Sequence, residues 1–321
     1  MDPVLFLHIQ KTAGTSLNRS VEKNFGPDFI ERDYGVDAPH TTDLVRRYIY
    51  DSPTINQFGL LEETRAKNTR WITGHAPADR YIHLYGAPNT VSFVRDPVER
   101  ILSEFRYLKR AGKMDRSLGD FYQTAAETNK QFSVLGHVPW RACHLVGSLE
   151  AYDQCVSLLA QELDFALEIL HENKNTAVTE DDEIDNETRA AIRQHNALDC
   201  RFVSQVRAYL DARLTAFEAG KPFCHHEIAF EPDKHIIGWA FARNSDSPVS
   251  VELWVNGKLQ ATAQASEHRP ELQAVGAPRL GHNGFRFVLD AHKSAQHIEL
   301  IAADTGQSLF SWQRQSSDNH N

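Results

Sequence analysis

The chain has 321 residues, of which 41% are hydrophobic and 24% are charged, a composition typical of a folded globular protein with more than one domain. The net charge of -9 argues against a dedicated nucleic-acid-binding protein, because such proteins carry a basic surface. We find no run of about 18 apolar residues that would predict a transmembrane helix, and the Met-Asp-Pro start does not resemble a secretory signal. We therefore expect a cytoplasmic protein that does not insert into membranes.

The first element is a short apolar run, Val4–His8, followed by a polar loop and a helical pattern from about Thr15 to Asn24. A continuous apolar run suits a central strand that is buried on both faces. A strand, loop and helix in this order are the usual opening of an α/β fold.

The loop between this strand and helix carries the residue types that bind phosphate. Backbone N–H groups at a helix N-terminus attract anions, a glycine allows close approach, and a lysine adds positive charge. The order of residues is not that of the Walker A motif, which requires a lysine after the second glycine. Taken alone, the loop fits an anion site or a simple glycine turn equally well. The candidate binding residues are Lys11, Thr12, Ala13, Gly14, Thr15 and Ser16.

Further along the chain, residues 41–70 are predicted to be helical, and two short strands follow, one from Trp71 that ends at Gly74 and one at Thr90–Val94. Asp96 is a good N-cap and Pro97 suits the first helical position, so a helix of about 14 residues is expected next. From residue 120 to 219 the pattern is mainly helical, with an acidic run at 180–183 that is predicted to be solvated.

The character of the sequence changes near residue 222. Short β-rich runs are separated by turn residues, and Asn256-Gly257 is a strong hairpin signal. This pattern predicts a small all-β sandwich. We predict a first domain over 1–222, a β-sandwich accessory domain over 223–315 and a disordered tail over 316–321.

The first loop resembles the "H-I-P-K-T-G-G-T-S" loop of the Golgi-type carbohydrate sulfotransferases, including the heparan sulfate 2-O-sulfotransferase branch and its bacterial relatives. Gln10 and Ala13 depart from that pattern. The run Arg95-Asp-Pro-Val-Glu-Arg-Ile-Leu-Ser103 is similar to the family segment "R-D-P-x-x-R-x-x-S". The resemblance implies that the loop binds the 5′-phosphosulfate of 3′-phosphoadenosine 5′-phosphosulfate (PAPS), and that Arg95 and Ser103 hold its 3′-phosphate.

The same resemblance implies a catalytic base. Thr73-Gly-His-Ala-Pro77 resembles a "G-H" element of the family, so His75 is the candidate base, and Lys11 is expected to stabilise the leaving oxygen. His8 is the rival histidine, although a structural hydrogen bond is the more ordinary role at that position. The segments Asn129–Phe132, Leu145–Glu150 and Asn196–Asp199 match the family more weakly and receive no catalytic role.

The cysteines, Cys143, Cys155, Cys200 and Cys224, are scattered and predict free thiols rather than a metal site. No metal cofactor is expected.

The sequence therefore predicts a P-loop-like sulfotransferase fold, with a central parallel sheet flanked by helices, followed by the β-sandwich. The expected activity is sulfuryl transfer from PAPS to a carbohydrate or glycan hydroxyl in a bacterial, cytoplasmic setting. The alternatives are a nucleotide-dependent kinase or NTPase, and a non-catalytic protein that binds 3′-phosphoadenosine 5′-phosphate (PAP) or glycan. The accessory domain is predicted to dock glycan or protein, with Trp239 and Trp254 as aromatic candidates, although such tryptophans are more often core or interface residues.

Overall fold

The computed structural model describes residues 2–171, 184–243 and 245–314. The chain forms two compact units, Met1–Leu214 and Thr215–Asn321. The predicted border at residue 222 falls between a helix that ends at Glu218 and a strand that begins at Cys224. The acidic run at 180–183 and the tail at 316–321 lie outside the described residues.

The first unit is built on a parallel sheet with the strand order β2-β3-β1-β4-β5 among the described residues. Its strands are β1 Val4–Leu7, β2 Ile30–Asp33, β3 Trp71–Gly74, β4 Thr90–Val94 and β5 Leu145–Ser148. β1 lies between β3 and β4, and all four of its residues are buried, as expected for a continuous apolar run in a parallel sheet. The predicted central parallel sheet is confirmed.

Helices surround this sheet. They are α1 Gly14–Phe25, α2 Asp43–Val45 with a π-helical continuation Arg46–Tyr50, α3 Gln57–Ala66, α4 Ile82–Tyr85, α5 Pro97–Arg110, α6 Leu118–Tyr122, α7 Tyr152–Leu163, α8 Asn186–His195 and α9 Ala197–Glu218. The prediction for α5 is confirmed: it has 14 residues, Pro97 is its first residue, and the Asp96 carboxylate accepts hydrogen bonds from the N–H groups of Val98 and Glu99.

Two strands of the sheet were not predicted. β5 interrupts the region that was predicted to be mainly helical, because a run of four residues carries too little periodicity to separate strand from helix. β2 has the sequence Ile-Glu-Arg-Asp, whose acidic residues do not suggest burial. The two acidic side chains are nevertheless buried, because each has a partner. Glu31 pairs with Lys67 (2.7 Å), and Asp33 accepts a hydrogen bond from Tyr81 (2.6 Å).

The described residues of the second unit form two antiparallel sheets, with strand orders β10-β11-β7-β6 and β13-β12-β8-β9. The strands are β6 Cys224–Glu231, β7 His235–Ala242, β8 Ser250–Val255, β9 Lys258–Gln264, β10 Glu267–His268, β11 His282–Val288, β12 His297–Ala302 and β13 Gln307–Gln313, and α10 spans Pro270–Ala274. Both sheets contribute to one hydrophobic core, which confirms the predicted β-rich module. Asn256 and Gly257 have φ values of 50° and 76°, as a type I′ turn requires. Trp239 is buried and Trp254 is half-buried.

Candidate active site

The candidate site lies at the carboxyl end of the parallel sheet, where the three sequence segments converge. Leu7 at the end of β1 pairs with Gly74 in β3 and with Ser92 in β4. The loop at 11–16 follows β1, His75 follows β3, and Arg95 follows β4. The loop therefore has the histidine on one side and the arginine on the other, at the edge where ligands bind in α/β sheets of this kind.

The backbone of the loop is shaped to bind an anion. Lys11 and Ala13 have φ values of 67° and 75°, whereas Thr12 between them does not have a positive φ. Ala13 is left-handed and is followed by the right-handed helical residue Gly14, an alternation that turns successive N–H groups toward one side and can form a concave anion nest. α1 begins at Gly14 and no side chain caps its N-terminus, so its first N–H groups lack an intrahelical acceptor.

Gly14 is required by the close approach of the first strand. A Cβ at this position would lie 1.9 Å from Cδ2 of His8. The His8 ring is fixed in turn by stacking on Phe6, with ring centroids 5.5 Å apart. The helix N-terminus can therefore pack against β1 only with glycine at position 14.

Ala13 stores strain, since a side chain disfavours the left-handed conformation by about 1–2 kcal/mol. We expect Ala13→Gly to raise the free energy of unfolding by about 0.5–1 kcal/mol, because relief of strain exceeds the added entropy of the unfolded chain. Denaturant unfolding measures this change. Ala111→Gly is the matched control, because Ala111 has a φ of -77° and the substitution should lower stability there. A loss of stability in Ala13→Gly would contradict the assignment of strain.

The side chains of the loop point in different directions. Thr12 is fully buried, and its hydroxyl donates to the carbonyl of Ile9 (2.8 Å), so this hydroxyl braces the loop. Ser16 is buried and Thr15 is exposed. The Lys11 ammonium lies 4.4 Å from the centre of the Tyr107 ring on α5. Burial lowers the pKa of Lys11 from its ordinary value.

His75 is held by two backbone contacts. Its N–H donates to the carbonyl of Asp33 (2.9 Å), and its Nδ1 lies 2.7 Å from the carbonyl of His8. A carbonyl can only accept, so Nδ1 carries the proton and Nε2 of the neutral ring is an acceptor. Burial lowers the pKa of His75, an effect opposed by the hydrogen bond to His8. His75 therefore has the tautomer and the neutral form that a general base needs.

The His8 side chain does not make a comparable bond. Its Nδ1 is buried without a partner among the described residues, and the contact to the neighbouring loop is made by its carbonyl instead. Burial lowers the pKa of His8 to about 3, helped by the nearby His75 and Lys11. The His8 ring thus packs between Phe6 and Gly14.

This low pKa predicts how stability depends on pH. A histidine that stays neutral in the folded chain but takes up a proton when unfolded contributes stability above pH 6.5 that is lost as the pH falls toward 3. We expect the free energy of unfolding to decline over that window, and to decline less steeply in His8→Leu. Denaturant unfolding across the window measures both slopes. Equal slopes in the two proteins would contradict the buried neutral state of His8.

The backbone of Arg95 is held by hydrogen bonds to Gln131, which is bonded in turn to Asp199. We call this set of hydrogen bonds the clasp. The backbone N–H of Arg95 donates to Oε1 of Gln131 (2.9 Å), and Nε2 of Gln131 donates to the Arg95 carbonyl (2.9 Å). Gln131 is fully buried, and its own N–H donates to the Asp199 carboxylate (3.2 Å). The guanidinium donates to the carbonyl of Lys11 (3.3 Å), which joins Arg95 to the loop.

Sequence reasoning gave no role to the residues of this clasp. Asn129 accepts from the N–H groups of Leu198 and Asp199, while Asn196 accepts from the N–H of Asn129. The weak matches at 129–132 and 196–199 are therefore two halves of one hydrogen-bonded structure. The two segments are rich in amide and carboxylate side chains, which was the available sequence signal. Their contact could not be predicted, because the segments lie nearly 70 residues apart in the chain and meet only in the folded protein.

Ser103 lies on α5, half-buried, four residues before Tyr107. Residues four apart share a helix face, and the Tyr107 ring contacts Lys11, so Ser103 lies on the face turned to the loop. The buried stripe of α5, including Val98, Ile101 and Leu102, belongs to a separate hydrophobic cluster. His75, Arg95 and Ser103 thus lie around the loop that carries Lys11.

Within the described ranges, no set of three or more His, Cys, Asp or Glu side chains is arranged to hold a metal ion. Over the same ranges, no helix combines the length and hydropathy needed to span a membrane.

Comparison with known proteins finds a similarity in the first part of the chain. The sequence model of the sulfotransferase family matches residues 1–133, which include the loop, His75, Arg95 and Ser103. None of the curated proteins matches the chain. The crystal structure of a sulfotransferase from Alicyclobacillus acidocaldarius is similar at 15% identity and a TM-score of 0.33, covering 67% of this chain and 96% of that one.

Proposed function

We propose that this chain, whose residues 1–133 match the sulfotransferase family, transfers the sulfuryl group of PAPS to a hydroxyl of a carbohydrate or glycan. The observation that carries the proposal is the loop after β1, with an oriented neutral histidine on one side and an arginine on the other. Phosphate chemistry alone explains the loop and the arginine, but it leaves a neutral histidine held by two backbone contacts without a role.

The donor fits these residues at both of its charged ends. The N–H groups of the loop and of the first turn of α1 suit the 5′-phosphosulfate, and Gly14 lets the backbone approach it. Arg95 can grip the 3′-phosphate with two parallel hydrogen bonds, and Ser103 can add a hydroxyl donor. The hydrogen bond from Arg95 to the Lys11 carbonyl (3.3 Å) ties the two subsites together.

Sulfuryl transfer forms a bond between the acceptor oxygen and sulfur while the bond from sulfur to the bridging phosphate oxygen breaks. His75 accepts the acceptor's proton at Nε2, since its Nδ1 proton is engaged by the His8 carbonyl. Lys11 donates hydrogen bonds toward the bridging oxygen, where negative charge develops as PAP leaves. His75 and Lys11 are the two residues to which we assign catalysis.

A nucleotide-dependent kinase or NTPase is the alternative enzyme. Such enzymes place the lysine after the glycine of the loop, whereas here Lys11 precedes Gly14 and has a left-handed backbone. No feature of the described residues favours that activity over sulfuryl transfer, and the same holds for a protein that binds PAP or glycan without catalysis.

Transfer is tested by incubating the protein with PAPS and a panel of oligosaccharides, with a phenol and a tyrosine peptide as other hydroxyl acceptors. Mass spectrometry of each acceptor detects added sulfate, and chromatography detects PAP. We expect sulfate on an oligosaccharide, lost in Lys11→Ala. Sulfation of the phenol or peptide alone would overturn the carbohydrate assignment. PAP release with no sulfated acceptor would overturn transferase activity toward this panel.

A further inference from the structure

One face of α5 is turned to Lys11 and carries Glu104 and Tyr107, which bind neither donor nor acceptor in the proposed mechanism. The Lys11 ammonium lies 4.4 Å from the centre of the Tyr107 ring. Glu104 lies three residues before Tyr107 and therefore on the same face of the helix. Glu104 and Lys11 also influence each other electrostatically. The ammonium thus has an aromatic ring and a carboxylate near it on a single helix.

Glu104 is an unusual residue for this place. It is only 9% exposed, and its Oε2 has no hydrogen-bond partner among the residues that the structure describes. Burial raises its pKa, as does the neighbouring Glu127 carboxylate, while Lys130 and Lys11 oppose the rise. Burial of a carboxylate without a full set of hydrogen-bond partners costs free energy of folding. A functional role for Glu104 beside the loop would explain why this cost is tolerated.

The other cations near Glu104 make their ion pairs with Glu127, although Nε and Nη1 of Arg100 have no hydrogen-bond partner among the described residues. Arg100 and Lys130 both contact the Glu127 carboxylate, at 3.0 and 2.9 Å. Lys11 has no ion pair within 4 Å among the described residues, and the negative charge of Glu104 raises the pKa of Lys11 against the effect of burial. Glu104 is therefore the carboxylate that attracts the Lys11 ammonium toward α5.

We propose that Glu104 and Tyr107 are positioning residues that hold the Lys11 ammonium in place at the donor loop. The inference rests on the proposed function, because the value of this placement is the stabilisation of the leaving oxygen. Glu104 is also expected to have two opposite effects. It aids catalysis by placing Lys11, and it weakens donor binding because a carboxylate beside an anion site repels the donor.

Glu104→Gln separates these two effects. We expect kcat to fall about tenfold, since Lys11 loses its electrostatic partner. We expect the Kd of PAP to decrease about fivefold, because one negative charge leaves the site. Glu62→Gln is the matched control, since it removes one exposed carboxylate from α3 and should change neither constant. Calorimetry with PAP and initial rates with PAPS provide the two readouts, and thermal unfolding reports whether each variant is folded.

Tyr107 gives a second test that does not depend on the buried carboxylate. Tyr107 is 48% exposed, so substitutions there should leave the fold intact. Tyr107→Leu should lower kcat about threefold, since the cation–π contact is lost, while Tyr107→Phe should keep kcat, since the ring face remains. Equal kcat values in the leucine and phenylalanine variants would overturn the role of the ring.

The outcomes separate this inference from the proposed function. Wild-type protein that fails to bind PAP overturns both. Suppose instead that the wild type binds PAP, and that Glu104→Gln lowers PAP affinity, kcat and thermal stability together. Glu104 then has a structural role, and the inference is wrong. Tighter PAP binding with a lower kcat supports it, because loss of structure cannot strengthen binding of the donor product.

Discussion

Replacing His75 with alanine is expected to lower kcat by about 10²–10⁴-fold, the usual contribution of a general base, while leaving the Kd of PAP nearly unchanged. The Nδ1 proton of His75 is engaged by the His8 carbonyl (2.7 Å), so its Nε2 is the atom free to accept the acceptor's proton. PAP carries no such proton and does not need the imidazole. Initial rates with PAPS and calorimetry with PAP measure the two effects separately.

His83→Ala is the matched control, because His83 is exposed on α4 and should leave kcat unchanged. If His75→Ala weakened PAP binding as much as it lowered kcat, His75 would order the loop and not act as a base. The pH profile gives a second readout. A base must be neutral, and burial lowers the pKa of His75 below 6.5, so the acidic decline in kcat should lie below pH 6.5 and vanish in the variant.

The second large effect is expected at Arg95. Arg95→Ala should weaken PAP binding by about 10–100-fold, since charge-assisted hydrogen bonds to phosphate are worth about 1.5–3 kcal/mol. Arg95→Lys should recover only part of the affinity, because a lysine keeps the charge but lacks the planar fork. Calorimetry with PAP measures both variants.

Arg116→Ala controls for the loss of one positive charge, since Arg116 is exposed and follows α5. Adenosine 5′-phosphate, which lacks the 3′-phosphate, provides the ligand control: Arg95→Ala should change its affinity little. An equal loss of affinity for both nucleotides would mean that Arg95 binds the 5′-phosphate or stabilises the loop, and does not bind the 3′-phosphate.

The elements that the sequence predicted well are those whose local chemistry is unambiguous. β1 and β4 are continuous apolar runs, and α5 has both a capping aspartate and a proline at its first position. The turn at Asn256-Gly257 allows few other conformations. The order of these elements was sufficient to predict the parallel sheet and the β-rich module.

The parts that could not be predicted depend on distant contacts. β2 buries two carboxylates whose partners come from other elements, including Lys67 and Tyr81. The clasp on Arg95 joins Gln131 to Asp199, and neither side chain has a recognisable role until the chain is folded. The strain at Ala13 follows from its φ of 75°, a backbone conformation that the sequence around it does not reveal.

We propose that the loop and Arg95 together recognise a nucleotide phosphorylated at both the 3′ and 5′ positions. Calorimetric titration with PAP and, separately, with ATP tests this claim most directly. PAP is expected to bind more tightly than ATP, and Arg95→Ala is expected to remove this preference. Preferential binding of ATP, or PAP binding that is insensitive to Arg95→Ala, would contradict it.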